Sequence, residues 1–160
     1  MTLTLDVDGA GSIAKLIDLE ALKTLKAHYC RYLDQKRWPD LRSLYVDDCR
    51  FEIDPAERVY LPADWRDQSH INLAQYMDLV TKVMLPGVTS VHHVYVPELE
   101  LLSPTEASGI WPMADYVVSD SGSFRGYGHY HETYRKECDR WKIASWGLTR
   151  LRIDLLNQGH

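Results

Sequence analysis

The feature that most constrains this chain is a change of period at Val88. Before it, apolar residues recur at steps of three and four; after it they alternate, through runs at 88–102, 106–118, 124–137 and 141–153. The first spacing is that of one helix face and the second that of one strand face. The stretches between the later runs, "SPT", "SDSGS" and "CDR", are turn chemistry. Helices first and an antiparallel meander afterwards predict an α+β domain whose helices cover one face of the sheet. Pro97 and Pro112 fall inside strand runs. A missing N–H confines proline to edges or bulges, and bulges bend sheets. A bent sheet under a long helix leaves a concave mouth suited to a small-molecule pocket.

The helical part divides at its caps. Asp18 is a candidate N-cap for a long first helix whose buried stripe is Leu22, Leu25, Tyr29, Tyr32 and Leu33. Pro39 opens a short second helix in "WPDLRSLY", with Leu41, Leu44 and Tyr45 inward, and "CRFEI" then alternates as a strand. Ser69 is a candidate cap for a third helix carrying Ala74, Met77, Thr81 and Met84, ended by Pro86-Gly87. The expected organisation is a loose leader over 1–12, one domain over 13–156 and a tail over 157–160.

Charge and composition remove several classes of function. A net charge of −5 with no Lys/Arg block argues against a nucleic-acid partner. No apolar run approaches a membrane span, and "MTLTLDVDGAGS" lacks the basic and apolar regions of an export signal. Three cysteines, Cys30, Cys49 and Cys138, without CxxC spacing, argue against a disulfide framework or zinc site and favour a reducing cytoplasm. There is no phosphate-binding glycine loop.

Within "KAHYCRYLDQKRW", Asp34 follows an apolar stripe near a helix C-terminus, where the helix dipole disfavours negative charge. Such a residue requires a partner. In "SVHHVYVPELEL" only one of His92 and His93 can face the helices. His92 shares phase with Val94 and Val96 but also with Glu98 and Glu100; His93 shares phase with Tyr95, Leu99 and Leu101. A bulge at Pro97 would flip the phase and make His92, Val94 and Val96 the inward set, so spacing favours His92 only narrowly. His129 and His131 share one strand face but have no third ligand at a metal-site spacing, so no metal is expected. Taken singly, Tyr29 reads as a core aromatic, Asp34 as a solvated helix end and His92 as a structural histidine. Trp38, Phe51 and Trp111 read as core or pocket wall.

Three stretches, "DLEALKTLKAHYCRYLDQKRWPDLRSLYVDD", "HHVYVPELEL" and "GHYHETYRKECDRWKIASWGLTR", resemble the SnoaL-like family of the nuclear-transport-factor-two-like superfamily. The resemblance begins near residue 13 and covers nearly all that follows. It implies the cone-shaped, cystatin-like α+β fold: a long N-terminal helix and further helices packed on a curved, mostly antiparallel sheet. Within the family the chain looks most like the bile-acid 7α-dehydratases and, more distantly, scytalone dehydratase. Those enzymes carry a tyrosine on the first helix, an aspartate before the tryptophan that opens the second, and a histidine on the first long strand. The matching positions here are Tyr29, Asp34 and His92. The resemblance also turns Tyr130 toward the pocket, making Trp38, Phe51, Trp111 and Tyr130 candidate substrate contacts. The chain departs from the bile-acid enzymes in "DPAERVYLPADWRDQS", a longer segment over 54–69. It also lacks, in "IWPMADYV", the second histidine of scytalone dehydratase, which disfavours a scytalone-like substrate.

Two functions of different kinds follow from the resemblance. One is a cofactor-independent lyase, a dehydratase of a hydrophobic cyclic, steroid-like or polyketide-like hydroxy-ketone, with an isomerase or cyclase as a close variant. The other is a non-catalytic ligand-binding module or the small structural subunit of a larger enzyme. Either is expected to bind a small hydrophobic ligand, need no cofactor and form a homo-oligomer, a dimer or trimer by resemblance.

Overall fold

The computed structural model describes residues 9–52, 54, 63, 66–120 and 122–156. Most of the longer segment over 54–69 therefore lies outside the described residues. Helix α1 spans Gly9–Asp34, α2 Trp38–Ser43 and α3 Leu73–Val83. The strands are β1 Tyr45–Glu52, β2 His70–Asn72, β3 Thr89–Val94, β4 Glu98–Leu101, β5 Glu106–Ser119, β6 Gly122–Glu137 and β7 Arg140–Leu156. They form one mixed sheet in the order β2-β1-β7-β6-β5-β3, with β4 also paired to β5. The fold is the α+β architecture expected from the change of period. Its pairings are antiparallel except β1 with β7, which run parallel and bring the first and last strands together.

Several local expectations are corrected. Asp18 is not a cap: α1 begins at Gly9, and the Asp18 carboxylate accepts hydrogen bonds from Lys136 Nζ (2.6 Å) and Trp141 Nε1 (2.8 Å). A side-chain acceptor one residue before an apolar stripe has two possible uses, and here a tertiary contact took it. Ser69 does not cap α3 either. Asn72 does, in a reciprocal capping box with Gln75 in which each side chain accepts from the other's backbone N–H. The later start rotates the buried face to Leu73, Tyr76 and Val80, away from Ala74, Met77 and Thr81, while Met84 stays buried at the C-cap. The first four residues of "CRFEI" end a longer strand that already starts at Tyr45, and Ile53 lies outside the described residues.

Pro97 does break the strand run. Val94 pairs with Met113 and Glu98 with Ile110, so the register slips by one across the gap. The inward row runs Ser90, His92, Val94 before the break and Leu99, Leu101 after it. Val96, expected inward, sits in the break at 87% exposed. Pro112 stands opposite, its carbonyl accepting from Tyr95 N–H (2.9 Å). Its missing N–H therefore faces the gap rather than a ladder partner.

The core fills the space between α1, α3 and the inner sheet face. It includes Leu22, Tyr29 and Leu33 from α1, Tyr76 from α3, Trp111 from β5, and Tyr130 and Tyr134 from β6.

Candidate active site

The end of α1 is tied to the start of β3. After Asp34 the chain reverses through Lys36 at φ 55°, with Arg37 N–H donating to the Tyr32 carbonyl at 2.8 Å. Lys36 Nζ then donates to the Val88 carbonyl at 2.6 Å. This sets the last residue of α1 against the inner row of β3. Asp34 Oδ1 accepts from Ser90 Oγ at 2.7 Å and lies 2.6 Å from His92 Nδ1. Asp34 Oδ2 accepts from the His92 backbone N–H at 2.9 Å. Burial works against the charge, but hydrogen bonds from the His92 ring, the His92 N–H and Ser90, with the attraction of His92, hold the carboxyl below its ordinary range. An ionised carboxylate can only accept, so His92 Nδ1 carries the proton, and in the neutral imidazole Nε2 is then the acceptor. The His92 side chain is 8% exposed and that of Asp34 21%. His93, on the other face, is exposed.

Tyr29 is placed differently. It is fully buried about one and a half turns before the end of α1, packed edge-on against Tyr130 with ring centroids 5.6 Å apart. Burial first, then Tyr130, Tyr76 and Tyr45, push its phenol well above the ordinary tyrosine range. The structure thus joins Asp34 to His92 directly, while Tyr29 belongs to a neighbouring aromatic group on the same helix.

Of the expected substrate contacts, Phe51 stacks on Tyr76 at 3.9 Å and lies 5.9 Å from Trp146, which also meets Tyr130 at 5.5 Å. Trp111 is buried, its indole N–H donating to the Tyr134 hydroxyl at 2.7 Å. Trp38 is half-buried against the core. In this aromatic interior the Tyr45 hydroxyl and Trp146 Nε1 are buried without a hydrogen-bond partner. An open groove of about 850 Å³ lies at the nearby strand ends, lined by Val83, Leu85, Val88, Val117, Phe124 and Leu155 among others. None of Trp38, Phe51, Trp111 and Tyr130 lines it.

Sequence reasoning missed three groups. Ser90, the second donor to Asp34 Oδ1, is one. Asp115 is another: it pairs in register with His92 across β3 and β5, and so shares its face. Arg150 from β7 reaches it with two hydrogen bonds, Nη1 to Oδ1 at 2.8 Å and Nη2 to Oδ2 at 2.7 Å. The pair spans β6 above Gly126, where a Cβ would lie 2.2 Å from both Arg150 Nη1 and Asp115 Oδ1. The third is Lys26 and Glu132, wholly buried and 2.5 Å apart. A signal existed for the second and third: Asp115 is in phase with Trp111 and Met113, Glu132 with Tyr130 and Tyr134, and Lys26 with Leu22, Tyr29 and Leu33. His129 and His131 face outward, His131 Nε2 lying 3.0 Å from Thr149 Oγ1. Among the described residues no three His, Cys, Asp or Glu side chains are grouped to hold a metal.

Residues 14–147 match the SnoaL-like domain. The chain belongs to the SnoaL-like family. A relative from Gibberella zeae, named as the probable cyclase FGR4, is 27% identical over 139 residues, covering 82% of this chain and 90% of that protein. Among solved structures, a protein of Novosphingobium aromaticivorans named for scytalone dehydratase superposes with a TM-score of 0.78 at 18% identity, covering 91% of this chain and 92% of that one. The hexachlorocyclohexane dehydrochlorinase LinA-type3 of Novosphingobium barchaimii gives 0.74 at 18% identity, covering 93% and 97%. At these identities the structural matches establish the SnoaL-like fold alone. No described helix is long and apolar enough to cross a membrane.

Proposed function

We propose that this SnoaL-like chain is a cofactor-independent lyase that removes water from a hydrophobic cyclic hydroxy-ketone, steroid-like or polyketide-like. The observation that carries this reading is the Asp34 carboxylate, fixed by three donors so that His92 presents a free Nε2. A histidine held in one tautomer by an ionised carboxylate is a general base in its working form. His92 Nε2 takes the proton from the carbon beside the ketone, and negative charge moves to the ketone oxygen. Tyr29 donates a hydrogen bond there, a contribution of about 3 kcal/mol in such sites. The enolate then expels the neighbouring hydroxyl, which accepts the proton back from the imidazolium. A carbon-carbon double bond and one water are the products.

The groove at the strand ends, lined by Ser119, Asp120 and Ser123 as well as apolar side chains, does not include Tyr29, Asp34 or His92, so a ligand reaches them only when the interior opens. The cyclase name of the Gibberella zeae relative supports a close variant in which the same enolate attacks a second carbonyl and closes a ring. We further propose that the chain works as a cytoplasmic dimer or trimer, with Trp38, Phe51, Trp111 and Tyr130 as ligand contacts reached when the aromatic interior opens.

The test is a panel of cyclic β-hydroxy ketones followed by the ultraviolet absorbance of the conjugated enone. Wild type should turn over at least one member, His92→Gln should abolish turnover, and Tyr29→Phe should lower kcat about 100-fold to 1000-fold. Ligand binding without turnover across the panel, or full activity in His92→Gln, would sink the reading and favour a binding module.

A further inference from the structure

The most unusual charges in the molecule are the two that the proposed chemistry does not use. Lys26 and Glu132 come from α1 and β6, and both side chains are wholly inaccessible to solvent. A buried ion pair seldom adds stability over apolar side chains of the same shape. Its placement is what calls for a function. The ammonium lies 4.1 Å from the ring centroid of Tyr29 and 3.5 Å from that of Tyr130, on their faces. One Glu132 oxygen holds the ammonium; the other accepts from the Tyr134 hydroxyl at 2.6 Å, which in turn accepts from Trp111. The pair is therefore oriented, with its positive end against Tyr29 and Tyr130 and its negative end anchored toward Tyr134.

We propose that Lys26 is a positioning residue for Tyr29, holding a cation on the face of its ring so that the hydroxyl is a stronger hydrogen-bond donor to developing negative charge. A cation on a phenol face favours the phenolate electrostatically, and more strongly where water is excluded. Tyr29 follows Lys26 by three residues on the same helix, so the bridge to β6 also fixes the rotation of α1 that presents Tyr29 and then Asp34. The other groups with acid-base character around this point are Cys30 on α1, Tyr45 on β1, Tyr76 on α3, and Tyr130 and Tyr134 on β6, with the Asp34 carboxyl acting on Cys30 and the Asp115 carboxyl on Tyr130. Of these carboxyl groups Glu132 is the one in contact with Lys26, and its second oxygen is taken by the Tyr134 hydroxyl.

This inference deepens the reading of Tyr29 as hydrogen-bond donor and rests on it. Its test needs no substrate. A fluorinated tyrosine is placed at position 29 and its phenol titrated by fluorine NMR. The titration is run in the wild-type background and in Lys26→Met with Glu132→Gln, which removes both charges and keeps an acceptor for Tyr134. The phenol pKa should rise by about one pH unit in the neutral background. Lys26→Gln with Glu132→Gln is the second background should the first fold poorly, with the same expected rise. An unchanged phenol pKa in a folded neutral background overturns the role of Lys26 whatever Tyr29 does. The turnover of Tyr29→Phe tests the underlying reading separately.

Discussion

Asp34 sits where a helix resists negative charge, and the structure shows what holds it there. The unfavourable end of the α1 dipole and partial burial both act against the carboxylate, and three donors from β3 outweigh them. Because its folded pKa is depressed, its contribution to stability is complete above the unfolded value of about 3.9 and is lost as pH falls through the folded value. Asp34→Asn is therefore expected to lower the melting temperature at pH 7, with the difference from wild type vanishing as both are acidified through the depressed folded value. A second readout separates orientation from stability. Nitrogen NMR of His92 should show the Nδ1–H tautomer in wild type and a mixture in Asp34→Asn, whose amide can either donate or accept. A wild-type ring protonated on Nε2 would remove the general-base assignment. Of these residues only the existence of a partner was legible from Asp34 itself, because a misplaced charge advertises a need without naming what meets it. Lys26 was less legible still. A lysine on a helix is ordinarily solvated, and its stripe position marks it only once Glu132 is known to lie opposite.

At the level of elements, glycine and proline do the positioning. The slip at Pro97 lets one run serve both His92 before the break and Leu99 after it on the same face. This break was legible because proline chemistry is local, whereas the phase of α3 was misplaced because Ser69 was read as its cap and the cap is Asn72, three residues on. The later strand runs were legible from period and turns, but β2 was not, and the run over 88–102 divides into β3 and β4. The pairing of Asp115 with Arg150 was not, since it spans two ladders and requires Gly126 between them. Gly126 does not adopt the left-handed backbone found at Gly87 and Gly122, so its role is space rather than conformation. Gly126→Ala should displace the Arg150 fork, both obstructing atoms being side-chain ends that can move. The expected cost is about 2 kcal/mol by denaturant titration, with an unchanged slope, from the weakened charge-assisted hydrogen bonds at the buried Asp115. A variant as stable as wild type would mean that the ion pair reforms beside the methyl group.

For the whole molecule, the parallel pairing of β1 with β7 extends the sheet to β1 and β2, and no local signal announced it because pairing between strands so far apart depends on the complete fold. With the inner face committed to the core, the outer face carries what remains. Val91 pairs with Tyr116 and Ala114 with Tyr127, setting two half-exposed tyrosines and a valine side by side on β3, β5 and β6. Arg125 lies over the Tyr116 ring at 5.4 Å, and His93 and His129 flank the patch. An apolar and aromatic area rimmed by polar groups on a sheet face fits self-association, where a stable contact buries roughly 800 Å² per partner. Light scattering after size exclusion is expected to give the mass of two or three chains, and Tyr116→Asp with Tyr127→Asp to give one, since each carboxylate would have to be desolvated at the contact. A wild-type monomer at micromolar concentration would overturn the proposal. Because Asp34, Ser90 and His92 meet on the opposite face, the dissociated variant should keep the His92 tautomer of the wild type. A change of tautomer on dissociation would instead mean that the neighbouring chain braces β3, and that assembly and site are one device.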